Sequence, residues 1–347
     1  MTTANRIARA VRRLIDPVPE NVFVLPLPQR RLSVLGPLPG ARAACAAIPA
    51  AVRPAGTRFV RLPAWGRRDK LLHGLALPHM VGAEIGPLDR PLVRKSDGAV
   101  FYVDHVDTTA LRDKWRTDPN VNVSKLQVDA VWGHQTLRQG IAAAAGADEA
   151  GFAGLDYVVA SHVVEHVPDL ITWLQEIQAV LKPGGQLRLA VPDKRFTFDY
   201  LRRTTDLASV VHAWQSKARV PNPQCILDFC LHMVDVDSQA AWRARLEPAT
   251  LRRRYDFAAA LAIAQDAERD GAYHDVHCWV FTPASMAQLL AELARQRLIA
   301  FACERFHDTE VDQHEFMVAL RQCDDAALCA ASWEGMAARA RVHAYSE

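Results

Sequence analysis

From about residue 78 onward, short apolar runs alternate with stretches whose apolar positions recur at helical spacing. That is the pattern of βα units around a parallel sheet. Residues 81–85, 100–103 and 121–128 read as three strands. Residues 155–160 form an apolar run suited to a central strand buried on both faces. Asp169 is a good helix N-cap, and Leu170, Trp173, Leu174, Ile177, Val180 and Leu181 then share one helical face. Lys182-Pro183-Gly184-Gly185 ends that helix, and residues 187–191 read as the next strand. Residues 200–275 carry helical patterns, many charges and no clear strand. They are too long for a simple connection, so they predict a helical insertion capping the C-terminal edge of the sheet. Residues 283–298 read as a helix. Residues 299–306 and 315–320 read as two strands joined by a polar turn, a hairpin that closes the sheet. The Ala-rich tail from Asp324 reads as helical.

Composition adds exclusions. The 347 residues are 50% hydrophobic and 23% charged with net charge +2, a globular balance that argues against disordered and collagen-like chains. Seven cysteines (Cys45, Cys225, Cys230, Cys278, Cys303, Cys323, Cys329) form no CxxC pair. Their odd number disfavours a disulfide framework or zinc ribbon and favours a reducing compartment. The N-terminal residues lack the apolar stretch of a secretory signal. No apolar run approaches the roughly 18 residues of a membrane span. A cytoplasmic location is expected.

Charge divides the chain. Residues 1–72 hold 13 Lys and Arg against three acids, net +10, which leaves −8 for the rest. Seven prolines, from Pro26 to Pro63, break this stretch into short pieces. It reads as a basic extension (1–72) before a main domain (73–323) and a helical tail (324–347). The charge suits either an anionic partner, such as nucleic acid or a membrane surface, or an Arg-rich solvated arm.

Candidate chemistry sits at the predicted C-terminal strand ends, where open α/β sheets bind ligands. Gly82-Ala83-Glu84-Ile85-Gly86-Pro87-Leu88 places an acid and then a glycine turn after the first strand. Small residues there allow close backbone approach. Asp104 ends the second strand, where an acid can bind ribose hydroxyls. This pair alone equally suits a nicotinamide dehydrogenase.

The run Leu155-Asp156-Tyr157-Val158-Val159-Ala160-Ser161-His162-Val163-Val164-Glu165-His166-Val167-Pro168-Asp169, followed by Leu181-Lys182-Pro183-Gly184-Gly185, resembles the class I S-adenosylmethionine-dependent methyltransferases of the type 11 group. The resemblance covers roughly residues 78–322. It includes the stretch from Asp275 to Pro283 and the strand at Glu315-Phe316. A dehydrogenase gives the Glu-His-Val-Pro turn no role. The resemblance implies a Rossmann-like, seven-stranded, mostly parallel sheet with a C-terminal antiparallel hairpin strand. It also implies S-adenosylmethionine as cofactor. Glu84, Gly86 and Pro87 would line the cofactor's methionine end, and Asp104 its ribose. Asp129 and Ala130, after the third strand, would meet the adenine. Ser161 and His162 would lie beneath the sulfonium. The first motif departs from the family's glycine-rich loop, because Leu88 and Arg90 stand where glycines are common. It is similar to a Glu-Ile-Gly-Pro form in members associated with polysaccharide clusters.

His162-Val163-Val164-Glu165-His166 also matches the H-x-x-E-H zinc pattern. That pattern needs one helical face, which a strand before it and Pro168 after it deny, so no metal is expected. A hydroxyl acceptor needs a base, for which His162, Asp193 and His277 are candidates. Lys194 and Arg195, with Arg202 and Arg203, would suit an anionic or sugar-phosphate acceptor. The expectation is O-methylation of a small molecule or glycan. Two alternatives stay open. One is a nucleic-acid methyltransferase docking through the basic arm. The other is a non-catalytic, degenerate partner subunit marked by the Leu88/Arg90 loop. The oligomeric state is not legible.

Overall fold

The computed structural model describes residues 65–133 and 135–341, and the backbone of 23–26, 32–35 and 60–61. The chain divides into two compact units, residues 17–73 and residues 1–16 with 74–347. In the smaller unit, β1 (Phe23–Pro26), β2 (Leu32–Leu35) and β3 (Val60–Arg61) form an antiparallel sheet in the order β2-β1-β3. A short helix, α1 (Arg67–Leu72), follows. The basic stretch therefore carries strands that its prolines did not suggest.

The larger unit is built on β4 (Val81–Ile85), β5 (Ala99–Asp104), β6 (Ala130–Val131), β7 (Leu155–Ser161), β8 (Leu181–Pro192), β9 (Phe301–His307) and β10 (Glu315–Gln322). Between and after these strands lie α2 (Thr108–Trp115), α3 (Leu137–Ala144), α4 (Leu170–Val180), α5 (Leu207–Gln215), α6 (Pro223–His232), α7 (Ser238–Trp242), α8 (Phe257–Asp270), α9 (Pro283–Arg295) and α10 (Ala326–Ala337). The strand order is β6-β5-β4-β7-β8-β10-β9. Pairs from β6 through β8 are parallel, and β10 runs antiparallel to both β8 and β9. This is the expected mostly parallel, seven-stranded sheet with an antiparallel hairpin strand.

Local chemistry explains the central elements. The alternate side chains of β7 point to opposite faces, and both faces are covered, so Leu155, Val158, Val159 and Ala160 are all buried. The Asp169 carboxylate accepts the Thr172 N–H at 3.0 Å and starts α4. The apolar stripe of that helix, Leu170, Trp173, Leu174 and Ile177, joins the core formed by Leu187, Leu189, Phe301 and Phe316. Trp333 of α10 is fully buried and donates its indole N–H to the Phe301 carbonyl at 2.8 Å. Truncating it to alanine costs about 3–5 kcal/mol.

The third strand is not at 121–128. Of Val121, Val123, Leu126 and Val128 only Leu126 is buried. Asn122 turns its side chain onto the Ser124 N–H at 3.2 Å and starts a 3₁₀ turn over Val123–Lys125. The strand is the two-residue β6, where Val103 pairs with Ala130. Residues 200–275 are helical as expected, with one isolated bridge between Val234 and Arg253. Their own apolar cluster joins Ile226, Phe229 and Met233 to Ala260, Ala264 and Val276. No helix among the described residues is long and apolar enough to cross a membrane.

Candidate functional site

The carboxyl ends of β4, β5 and β7 come together at one edge of the sheet. After β4 the chain turns through Gly86, whose φ is +64° and whose N–H bonds the Val103 carbonyl at 2.9 Å. A Cβ there would stand 3.2 Å from Val163 Cγ2. Glu84 is buried, and its two oxygens accept the Leu92 and Val93 N–H groups at 2.8 Å each. That carboxylate shapes the 86–93 loop from below. Leu88, at a position where glycine was expected, has φ +45°. The loop keeps the left-handed turn that a glycine would permit and holds a branched side chain in it, a strained state typical of functional loops. Pro87 lies between these two left-handed residues.

Asp104 ends β5 and is buried. Its Oδ1 accepts the His105 N–H at 2.8 Å and lies 2.5 Å from His105 Nδ1. Its carbonyl accepts the Trp132 N–H at 2.8 Å. Because β6 covers Ala130–Val131, Asp129 precedes the third strand and Ala130 lies within it, so neither follows it. The Asp129 carboxylate is turned back to the Tyr102 N–H at 2.7 Å and to Lys95 Nζ at 2.5 Å. The residues after the strand are Trp132, which stacks on Trp173 at 6.1 Å, and Gly133. Misplacing the strand hid Trp132 from the sequence reading.

At the end of β7, His162 follows Ser161 with φ +53°, and its N–H bonds the Ala190 carbonyl at 3.0 Å. Its Nε2 lies 2.8 Å from Glu315 Oε2 and its Nδ1 3.5 Å from Glu165 Oε1. Burial opposes a charge on this ring. Glu165 and Glu315 outweigh burial and lift the pKa to about 9. That raised pKa favours the imidazolium and counts against His162 as a general base.

The contacts of Asp193 count against it as a base as well. It is fully buried and caps the 3₁₀ turn of Lys194–Phe196. Oδ1 accepts Arg195 N–H and Nε at 3.1 and 2.9 Å, and Oδ2 accepts Arg195 Nη2 and Thr309 Oγ1 at 2.6 and 2.7 Å. With its lone pairs filled, it has a structural role. The same contacts take Arg195 away from any ligand. Its guanidinium is buried and also reaches the Arg341 carbonyl at 2.9 Å. Arg202 is likewise buried, between Asp199 and Asp228 at 2.9 and 2.8 Å. Lys194 Nζ donates to the Tyr200 carbonyl at 3.0 Å, and burial lowers its pKa despite Asp193 and Asp199.

His277 is the base candidate that keeps an oriented ring. Its Nδ1 lies 2.6 Å from Asp199 Oδ2, and its ring meets His166 edge-on at 4.6 Å. Burial would raise the Asp199 pKa, but His277 and Arg202 hold it below the usual range. The segment carrying His277 is docked on the turn after β7, because Cys278 and Trp279 donate their N–H groups to the Glu165 carbonyl at 2.6 and 3.1 Å. Glu165, absent from the sequence candidates, is thus the hub of this side of the site. Its sequence signals are its places in the Glu-His-Val-Pro turn and in the H-x-x-E-H pattern of residues 162–166.

A family model described as a methyltransferase domain matches residues 81–293. No curated protein matches the chain. Among solved structures, the chain is similar to the CurJ carbon methyltransferase, with 11% identity, a TM-score of 0.31, and coverage of 72% of this chain and 50% of that one. Against a SAM-dependent methyltransferase from Methanosarcina mazei the values are 14%, 0.33, 73% and 96%. Against magnesium protoporphyrin IX methyltransferase from Synechocystis PCC 6803 with bound SAH they are 10%, 0.30, 71% and 75%.

Proposed function

The chain belongs to the methyltransferase-domain family, and on that premise we propose that it methylates an oxygen of a small-molecule or glycan acceptor. The cofactor is S-adenosylmethionine, which supplies a methyl group already activated on a sulfonium. The residues present fit it. A left-handed Gly86 in a cradle that a Cβ would crowd against Val163 suits close approach of the methionine end. Buried Asp104, its Oδ1 anchored on His105, offers a fixed carboxylate for ribose hydroxyls. Trp132 is the apolar surface next to this position for the adenine, in place of Asp129 and Ala130. Ser161 and the imidazolium of His162 end the strand beside the Gly86 turn.

The observation that carries the oxygen assignment is the buried His277–Asp199 pair at 2.6 Å. A carboxylate behind an imidazole fixes its orientation toward a bound hydroxyl, which an oxygen acceptor requires. The helices of 200–275 are the cap over this acceptor and exclude water from it. Lys194 and exposed Arg203 remain its candidate cations. The left-handed Leu88 supports a working loop rather than a degenerate one. Residues 73–323 form the catalytic domain in this reading, with 1–72 and 324–347 as a basic arm and a helical tail on a cytoplasmic protein. The Glu-Ile-Gly-Pro loop supports acceptors of polysaccharide assembly. Incubation with methyl-labelled S-adenosylmethionine and a panel of hydroxylated small molecules and oligosaccharides tests this. Label located on oxygen by fragment mass supports it, and label confined to nitrogen, carbon or RNA overturns it.

A further inference from the structure

Glu165, His166 and His277 each offer one ligand atom, and the three atoms lie within 4.8 Å of one another. Glu165 is 0% exposed, yet neither carboxylate oxygen accepts a hydrogen bond. The nearest nitrogens are His162 Nδ1 at 3.5 Å and His166 Nε2 at 4.0 Å. A buried carboxylate whose nearest cationic partner, the His162 ring, stands outside hydrogen-bond geometry is costly, and a closer cation relieves it.

The His277 imidazole is aimed by Asp199, whose Oδ2 lies 2.6 Å from His277 Nδ1. Asp275 Oδ1 lies 2.9 Å from His166 Nδ1 as a charge contact without hydrogen-bond geometry. Asp199 thereby leaves Nε2 of His277 with its lone pair. Metal-ligating histidines are oriented in this way. Asp199 is itself held by Arg202 Nη1 at 2.9 Å. Two imidazoles and one carboxylate suit zinc and neighbouring first-row divalent ions and leave an open coordination position.

We propose that Glu165, His166 and His277 bind a divalent first-row transition-metal ion, zinc by donor type, on the acceptor side of the site. The helical H-x-x-E-H geometry rejected from the sequence is not needed. Glu165 and His166 lie in a turn, and His277 arrives from the segment beyond the cap. A tetrahedral zinc holds its ligand atoms about 3.3 Å apart, so each moves inward by about 1 Å on binding. His166, with 28% of its side chain exposed, is the open side of the cluster. The use of the ion rests on the methyl-transfer reading and replaces the base role of His277, because its Nε2 lone pair is then spent on the ion. A hydroxyl bound at the open position loses its proton to solvent more readily. The methyl carbon then passes from sulfur to that oxygen, and the sulfur leaves as a neutral thioether.

The test uses the full chain stripped with a chelator. Zinc is titrated in competition with a chromogenic chelator, and cobalt(II) is added to read visible ligand-field bands. One zinc per chain is expected, with affinity at least about tenfold weaker in Glu165→Gln and in His166→Gln. Zinc should raise the melting temperature of the parent chain and not that of Glu165→Gln. If Glu165→Gln does not fold, His166→Gln, on the exposed ring, carries the comparison. No stoichiometric zinc, or unchanged affinity in His166→Gln, overturns the proposal. S-adenosylhomocysteine binding is read separately. Its presence without zinc binding overturns the metal site alone, and its absence with zinc binding overturns the methyl-transfer reading alone.

Discussion

Nε2 of His162 stands 2.8 Å from Oε2 of Glu315, joining the end of β7 to the first residue of β10. The pair crosses β8, which lies between those strands, and fixes the ring toward β10. Because the folded-state pKa of His162 is raised to about 9, the stabilisation it gives is complete below the unfolded value of about 6.5. It is lost as pH rises from there through about 9. Glu315→Gln in chelated protein should lower the His162 pKa, read from its imidazole NMR resonance, and flatten the fall of melting temperature across that window. An unshifted resonance would contradict the pairing.

The loop after β4 makes two opposite predictions. Gly86→Ala forces a side chain into φ +64° and toward Val163. It should weaken S-adenosylhomocysteine binding at least about tenfold, or about 1.4 kcal/mol. Leu88→Gly releases the strain at φ +45°, which costs of the order of 1 kcal/mol for a non-glycine residue. The larger chain entropy of glycine offsets part of that gain. A melting temperature unchanged or slightly higher is expected, where glycine in an ordinary loop would lower it.

Arg188, on β8 between Val159 of β7 and Ala319 of β10, is a poorly satisfied cation of the core. Its side chain is buried, and Nε and Nη1 have no hydrogen-bond partner. Burial pulls its pKa down to about 10, against the attraction of Glu304. Replacing a poorly satisfied buried charge by an apolar side chain of similar length is often stabilising. Arg188→Met should gain about 1–2 kcal/mol in denaturant unfolding. A loss of that size would show that the guanidinium is worth more than its burial costs.

The sheet was legible where the signal is local. Residues 81–85 carry an apolar strand, and Asp169 caps α4 within three residues of itself. The third strand was not legible, because two residues held by β5 leave no periodic trace, while the valines of 121–128 imitate one. Among site residues, Gly86 and Asp104 stand at strand ends that the pattern locates. Roles at the acceptor side depend on contacts between distant segments. Thr309 fills Asp193, Glu315 charges His162, and Cys278 and Trp279 bring His277 to Glu165. None of these pairings is written in spacing along the chain.

Calorimetric titration of the purified chain with S-adenosylhomocysteine, beside Asp104→Ala, tests the central claim most directly. Micromolar binding with one site per chain, lost in Asp104→Ala while its melting temperature is kept, is the predicted result. No binding to the folded parent chain, or equal binding by Asp104→Ala, would contradict it.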